Sequence, residues 1–403
     1  MAEQALSDMK VIDLSQYIAG PACSKLLADY GADVIKIERP GTGDGARSMG
    51  PFYHDEPDLE KSGLFLYLNT NKRGITLNLK SKLGKEILLE LVKKADVVVE
   101  NFKPGVMERL GLSYEDLEKA NPKLVMTSIS NFGQTGPYRD YKLTELTAFG
   151  IGGPMYSSGM AEREPVKYGG TPSIYHSGAV AAMSTAVAYY GMRRHGTGEQ
   201  IDISIMETQA GTIDRRLTSL VSYQYNGRVT PRGATAGGAI ASGYFPCADG
   251  YVMFSAGGPR LERVTEMLGN PPELMDPKFY TPQAQRDPDL KDEYDAIFLG
   301  WCMEHTKQEI FAIGQKFHNI CSAMYTIDEV FDDPQVKYRE FMVEVDHPIT
   351  GKLKYPGRPF VMGETPWTLL RPAPTLGQHN QEVYSELGYA REDLVKLRET
   401  GVI

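Results

Sequence analysis

The sequence predicts an α/β fold around a parallel sheet. Two observations carry this: apolar runs too continuous for half-exposed strands, and a helix-spaced segment between one run and the next. Residues 9–14 (MKVIDL) read as the first strand. The loop SQYIAGP follows, and residues 22–30 have helical spacing, with Leu26 and Leu27 on one side and Gly31 as the stop. DVIKIE is the next strand and completes a β-α-β unit. The pattern then repeats. GITLNLK reads as a strand, residues 82–95 put Leu83, Ile87, Leu88, Leu91, Val92 and Ala95 on one helical face, and DVVVENF and LVMTSISNF are further strands. Such a sheet presents ligands to the loops at its strands' C-terminal ends.

Residues 168–192 contain no Asp, Glu, Lys or Arg. Glycines, Pro172, His176 and scattered hydroxyls make the stretch too polar for a membrane span, so a helix buried on all sides is expected. The turn RRHGTGEQ, the strand IDISI and a helix over 207–225 end the first domain. The glycine-rich RGATAGGAIASG marks a change of character. Residues 226–330 read as a smaller unit, opening on a hairpin in YFPCADGYVMFSA with Ala-Asp-Gly at its turn. Beyond 330, Pro- and Gly-rich segments run to a final helix over 381–399.

A chain of 403 residues is long enough for two domains and a large core. The net charge of −9, without a basic stripe, argues against nucleic acid as a partner but leaves room for a small anion held by a few placed cations. Cys23, Cys247, Cys302 and Cys321 form no CxxC pair and have no His at ligand spacing, so neither a metal site nor a disulfide framework is expected. MAEQALSDMKVIDL lacks a basic segment followed by an apolar one. No signal peptide and no membrane association are expected, and the location is read as cytoplasmic.

The loop after the first strand has one Gly followed by Pro, so the GxGxxG fingerprint of dinucleotide binding is missing, and no GxSxG elbow occurs. His176 is the one histidine worth watching, and a satisfied buried histidine is its plainer reading. What stands out is a set of basic residues just past strand ends: Arg39, Lys80 and Arg109. Singly each is an ordinary solvated charge. Together they suit a ligand with several phosphates.

VIDLSQYIAGP, GADVIKIERPGTGD, NKRGITLNLKSKLGKE, KKADVVVENFKPGVMERLGL, NPKLVMTSISNFGQTGP, GTGEQIDISIMET and LGQHNQEVYSELGY span nearly the whole chain in order. In these strings the chain resembles the family III CoA-transferases, the group of formyl-CoA transferase and the carnitine CoA-transferases. The resemblance implies a Rossmann-like large domain made from both termini (1–225 completed by 331–403), a small domain over 226–330, and an interlocked dimer. It implies a coenzyme A thioester as substrate and no prosthetic group. It also implies a CoA site: Ala19 and Gly20 in the first loop, Arg39 on phosphate or adenine, the 77–80 segment with Leu77 and Lys80 beside the adenosine, then Asn101, Phe102, Lys103 and Arg109, with Lys142 and Glu145 toward the thioester. In the family's reaction an Asp carboxylate attacks the donor thioester to give a mixed anhydride. CoA thiolate then forms an aspartyl-CoA thioester, and the acceptor acid is processed in reverse.

In one place the chain departs from this pattern. The family Asp lies in P-x-x-x-G-x-x-x-x-D-x-x-x-G, four residues before a glycine that opens a helix. Here PVKYGGTPSIYHSG keeps the spacing and puts Ile174 at the Asp position, with no Asp or Glu between Glu164 and Glu199. Related racemases of this fold use a His-Asp pair plus a Glu. Those positions hold Thr144, Ile174 and Pro246, so two opposed acid/base groups are lacking. The small domain's glycine loop, GGAIASG, is only partly kept. Three readings are open. The chain is one subunit of a heteromer whose homologous partner carries the Asp, as in the benzylsuccinate CoA-transferase kind. It is a homodimer with another nucleophile, Glu145 being the nearest matched carboxylate. Or it binds CoA without transferring it. No catalytic residue is assigned to this chain, and succinyl-CoA donor with a dicarboxylic acceptor is the substrate reading by analogy.

Overall fold

A computed structural model describes residues 4–211, 214–229, 232 and 238–403. Strands β1 (Lys10–Asp13), β2 (Asp33–Glu38), β3 (Lys72–Thr76), β4 (Val97–Glu100), β5 (Val125–Ser130) and β6 (Glu199–Ser204) form one sheet. Its order is β3-β2-β1-β4-β5-β6, and every pairing is parallel. The chain builds outward from β1 to β3, then crosses back to start again at β4. A crevice therefore opens between the loops after β1 and β4, where this class of sheet binds ligands.

Helices α1 (Ala19–Ala28), α2 (Gly63–Leu68), α3 (Lys82–Val92), α4 (Val106–Leu110), α5 (Tyr114–Ala120), α6 (Glu145–Ile151), α7 (Pro172–His195), α8 (Ile205–Gly211) and α9 (Asp214–Asn226) fill the connections. Ile12, Val98 and Met126 pack with Ile87, Leu88 and Leu91 of α3 on one sheet face. Val11, Val97, Val99 and Val125 pack with Cys23 and Leu27 of α1 and Ala181, Ala182 and Ala188 of α7 on the other. Burial on both faces is why the strands read as unbroken apolar runs.

Four local readings change. Helix α1 starts at Ala19, inside the stretch read as a loop, because Pro21 at the third helical position lacks only an N–H that would have had no partner there. Strand β3 starts at Lys72 and stops at Thr76, so residues 77–80 form the loop after the strand rather than its end. Its first residues do not look like strand because Lys72 and Arg73 are charged; both are buried against distant carboxylates. Helix α7 is not buried on all sides. Ser177, Ala181, Thr185 and Ala188 face the protein, while Met183, Val187 and Tyr190 are 63%, 67% and 61% exposed. The final helix splits into Asn380–Glu386 and Arg391–Glu399 around Gly388, whose φ is +92°. The described residues of 207–225 are helical as expected, and residues 212–213 lie outside the described residues.

The described residues of 1–155, 167–228 and 340–403 form one unit, and those of 156–166 and 229–339 a second. In the second, β7 (Ser242–Cys247), β8 (Gly250–Ser255) and β9 (Cys321–Ala323) make an antiparallel sheet. Cys247 pairs with Gly250, so Ala248-Asp249 is the hairpin turn. Residues 233–237 of the glycine-rich stretch lie outside the described residues. In the first unit the C-terminal segment covers the outer edge of β3. Gly74 N–H donates to His379 Nδ1 (3.0 Å), Thr76 N–H to Asn380 Oδ1 (2.9 Å), and Tyr384 O–H to the Thr76 carbonyl (2.6 Å). An exposed sheet edge invites pairing with other chains, and this segment occupies it.

At the C-terminal end of β1 sits a buried ion cluster. Lys72 Nζ lies 3.0 Å from Asp13 and also donates to Asn69 Oδ1 (2.9 Å) and the Pro21 carbonyl (3.0 Å). Lys36 Nζ reaches Asp44 (2.8 Å), Asp13 (3.8 Å) and the Ser15 carbonyl. Asp13 accepts from Ser15 N–H (2.9 Å), Ser15 Oγ–H (2.5 Å) and Ser24 Oγ–H (2.6 Å). Burial alone would raise the Asp13 carboxyl. Lys36 and Lys72, with the two hydroxyls, overcome it and hold the group well below the usual carboxylate range. Burial pushes the Lys72 ammonium down to about 8.

Replacing Asp13 by Asn should cost about 3–5 kcal/mol in denaturant unfolding, since two buried ammonium groups lose their shared anion. The sign with pH follows from the lowered folded value. Asp13's contribution is complete above its unfolded value of 3.8 and is lost as pH falls below it. The gap between wild type and D13N should therefore narrow between pH 5 and pH 3, and a gap constant over that window would contradict the assignment.

Candidate functional site

The ion cluster fixes the two loops of the crevice. Asp44, held by Lys36, accepts the Tyr17 N–H (2.8 Å), which secures Tyr17 in a left-handed conformation at φ +65°. Asn101, just past β4, accepts the Gln16 N–H (2.7 Å) and donates to the Gln16 carbonyl (2.7 Å). Its side-chain amide thus imitates a neighbouring strand and ties the β1 loop to the β4 loop. A Cβ at Gly20 would collide with Ser15 Cβ, so glycine lets α1 begin directly beneath that loop.

Two cavities open at this end of the sheet. The first, of about 640 Å³, is walled by Leu14, Gln16, Leu77 and Phe102, with Arg39 and Lys80 among its lining. The second, of about 840 Å³, has an apolar wall of Ala19, Ile129, Ile174 and Ile205 and carries Arg109, Arg139 and Glu145. Phe102 and Lys103 line both. Of the residues expected at a CoA site, Arg39, Leu77 and Lys80 meet in the first cavity; Ala19, Asn101, Arg109 and Glu145 meet in the second. Two do not line either: Gly20 is buried in packing, and Lys142 is exposed outside both. Asn101 lines the second cavity but its amide is committed to Gln16. Sequence reading missed Gln16, whose Oε1 accepts from Arg39 (3.2 Å). Its place in the loop after β1 was the available signal.

Glu145, the first residue of α6, has a defined task. Its Oε1 accepts the Ser173 N–H and its Oε2 the Ile174 N–H, both at 3.1 Å. These are free N–H groups of the first turn of α7, a 24-residue helix whose partial positive end the carboxylate neutralises. Ile174 occupies the same turn and lines the second cavity. Gly178 lies one turn further along the helix, in its interior rather than at its opening. A Cβ there would stand 2.6 Å from the Ala19 carbonyl, so the glycine lets α7 cross close to the start of α1. That crossing places residue 174 beside the crevice. Burial pushes the His176 imidazole down, and the residue lines neither cavity.

At the end of β4, Glu100 is 3% exposed, and burial lifts its carboxyl to about 7 while it accepts the Phe102 N–H (2.7 Å). Glu100 thus supports the loop that separates the two cavities.

The model of CoA-transferase family III matches residues 6–380. The chain belongs to that family. CoA thioesters are the substrates of its enzymes, and the chain is similar over its length to several. It is 32% identical to succinyl-CoA–D-citramalate CoA-transferase of Chloroflexus aurantiacus, covering 99% of this chain and 98% of that protein. It is 32% identical to formyl-CoA:oxalate CoA-transferase of a Bradyrhizobium strain (99% and 97%). It is 30% identical to a subunit of succinyl-CoA:(R)-benzylsuccinate CoA-transferase of Thauera aromatica (99% and 98%). The solved structure of a CAIB/BAIF family protein from Brucella suis superposes with a TM-score of 0.85 at 28% identity, covering 96% of this family III chain and 100% of that one. No helix among the described residues is long and apolar enough to cross a membrane.

Asn101→Leu should free both Gln16 backbone groups and lower stability by about 1–3 kcal/mol; an unchanged unfolding midpoint would show that the clamp is unimportant. Glu100, whose folded value lies above its unfolded 4.5, favours folding below 4.5 and loses that advantage as pH rises through about 7. Stability of wild type relative to E100Q should therefore fall between pH 5 and pH 8, by up to about 3 kcal/mol in paired melts.

Proposed function

We propose that this chain is the CoA-binding subunit of a heteromeric family III CoA-transferase, acting in the cytoplasm, whose reacting Asp resides on a homologous partner chain. The observation that carries this reading is Ile174. At the family's Asp position, on the first turn of α7 and in the wall of the larger cavity, stands a side chain with no nucleophilic atom. Glu145, the nearest carboxylate matched to the family, has both oxygens engaged with the N–H groups of Ser173 and Ile174. A nucleophile at Glu145 would have to leave the helix end it caps, which counts against a homodimer that relies on it. An isoleucine in place of the Asp packs against Ile18 and Ala22 without burying an unpaired charge.

In this reading Arg39, Lys80 and Leu77 hold the nucleotide end of CoA in the first cavity. The pantetheine arm passes Phe102 and Lys103, and the acyl group enters the second. No prosthetic group takes part. The names of the relatives in Chloroflexus and Thauera favour succinyl-CoA as donor and a second dicarboxylic acid as acceptor. The two partners interlock, each large domain drawing on both ends of its chain.

Incubating the assembled complex with succinyl-CoA and weighing each subunit intact tests the division of labour. An adduct on the partner alone is the expected result, and an adduct mapped to Glu145 of this chain would overturn it. Arg39→Ala and Lys80→Ala should each weaken CoA binding about 10-fold in calorimetric titrations. Unchanged affinity in both would move the nucleotide end elsewhere.

A further inference from the structure

The end of β5 contributes a group to the larger cavity that neither the sequence pattern nor the resemblance singles out. Ser130 is 5% exposed, lines that cavity, and its hydroxyl makes no hydrogen bond to any described residue. Its neighbours are different. Thr127 Oγ1 bonds Thr185 Oγ1 (2.7 Å), Ser128 Oγ accepts from Gln200 Nε2 (3.1 Å), and Asn131 Nδ2 donates to the Tyr141 carbonyl (3.1 Å). Two further neutral polar groups of the same wall are also committed. Asn101 is paired with Gln16, and Thr144 with Thr147 (3.2 Å). A buried hydroxyl without a partner is unfavourable in the free protein, and folded proteins leave few of them. This one shares its cavity with Ile129, Ile174 and Ala19, while the cavity's cations are Lys103, Arg109 and Arg139.

We infer that Ser130 is a positioning residue for the acyl group, its hydroxyl donating a hydrogen bond to an acyl oxygen of the bound CoA thioester. The inference rests on the reading of this cavity as the acyl end of a CoA site. A hydroxyl is suited to the task because it donates to a thioester carbonyl and to a carboxylate alike, while carrying no charge into an apolar wall. The preference for acyl over pantetheine oxygens comes from Ser130 sharing that wall with residue 174, the place where the family's carboxylate meets the acyl carbon.

The test compares free CoA with succinyl-CoA, both titrated calorimetrically into the full chain. Wild type should bind both. Ser130→Ala should leave the Kd for CoA within about twofold and weaken succinyl-CoA about 10-fold, the loss of one hydrogen bond to a buried ligand oxygen. Ser130→Thr, which keeps the hydroxyl, should restore the preference for the thioester, and thermal melts of both variants report whether folding is intact. If S130A weakens both ligands equally, or neither, or if S130T fails to restore the preference, Ser130 does not position the acyl group. Should wild type bind neither ligand, the CoA-site reading itself fails, an outcome visible before any variant is made.

Discussion

The crevice depends on a single buried carboxylate. Asp13 closes β1, and its two oxygens draw in Lys72 from β3, Ser24 from α1 and Ser15 from the loop beyond, with Lys36 of β2 alongside. Four parts of the fold are thereby referred to one point below the crevice loops. Ion clusters buried this deeply add little net stability compared with apolar packing, and their usual merit is that they tolerate one arrangement only. Here the arrangement sets the course of the chain from Ser15 to Tyr17 and, through Asp44, the start of the segment after β2. The binding loops inherit their shape from charges that the ligand never meets.

Above that foundation the site is assembled by borrowed backbone partners. Asn101 fastens one loop to another with a side-chain amide, Glu145 caps a helix that begins 27 residues later in the chain, and Gly178 lets that helix approach α1. Asn101 and Glu145 look like ligand contacts when only their place in the pattern is known. In the fold their first duty is to hold the walls. In the proposed reading the side chains left to meet CoA are fewer than the pattern suggests: Arg39, Lys80, Lys103, Arg109 and the apolar faces between them.

The strands and their parallel type were legible because strands covered on both faces leave short continuous runs of Val, Ile and Leu between helix-spaced segments. The start of β3 was not, since Lys72 and Arg73 are acceptable in a buried strand only through carboxylates at positions 13, 33, 382 and 386. Similarly, the uncharged composition of α7 revealed a helix but not its exposed face. Small residues that pack on α1 and apolar residues that face outward have the same signature in a hydropathy pattern. Within the site, the strand-end cations could be found from their position in sequence. The engagement of Glu145 and the lack of a partner for Ser130 among the described residues could not, for both are statements about neighbours in space.

The loop that carries Leu77 and Lys80 is fastened from far away. Asn78 N–H donates to the Val402 carbonyl (2.8 Å), and its side chain to the Gly401 carbonyl (3.1 Å). The second contact spans 323 residues. During synthesis, then, the first cavity cannot reach its final form until residues 401 and 402 have left the ribosome, long after the six strands have been made. A nascent chain at that stage holds the whole sheet yet lacks one wall of the first cavity. Closure of so long a loop is among the slower events of folding.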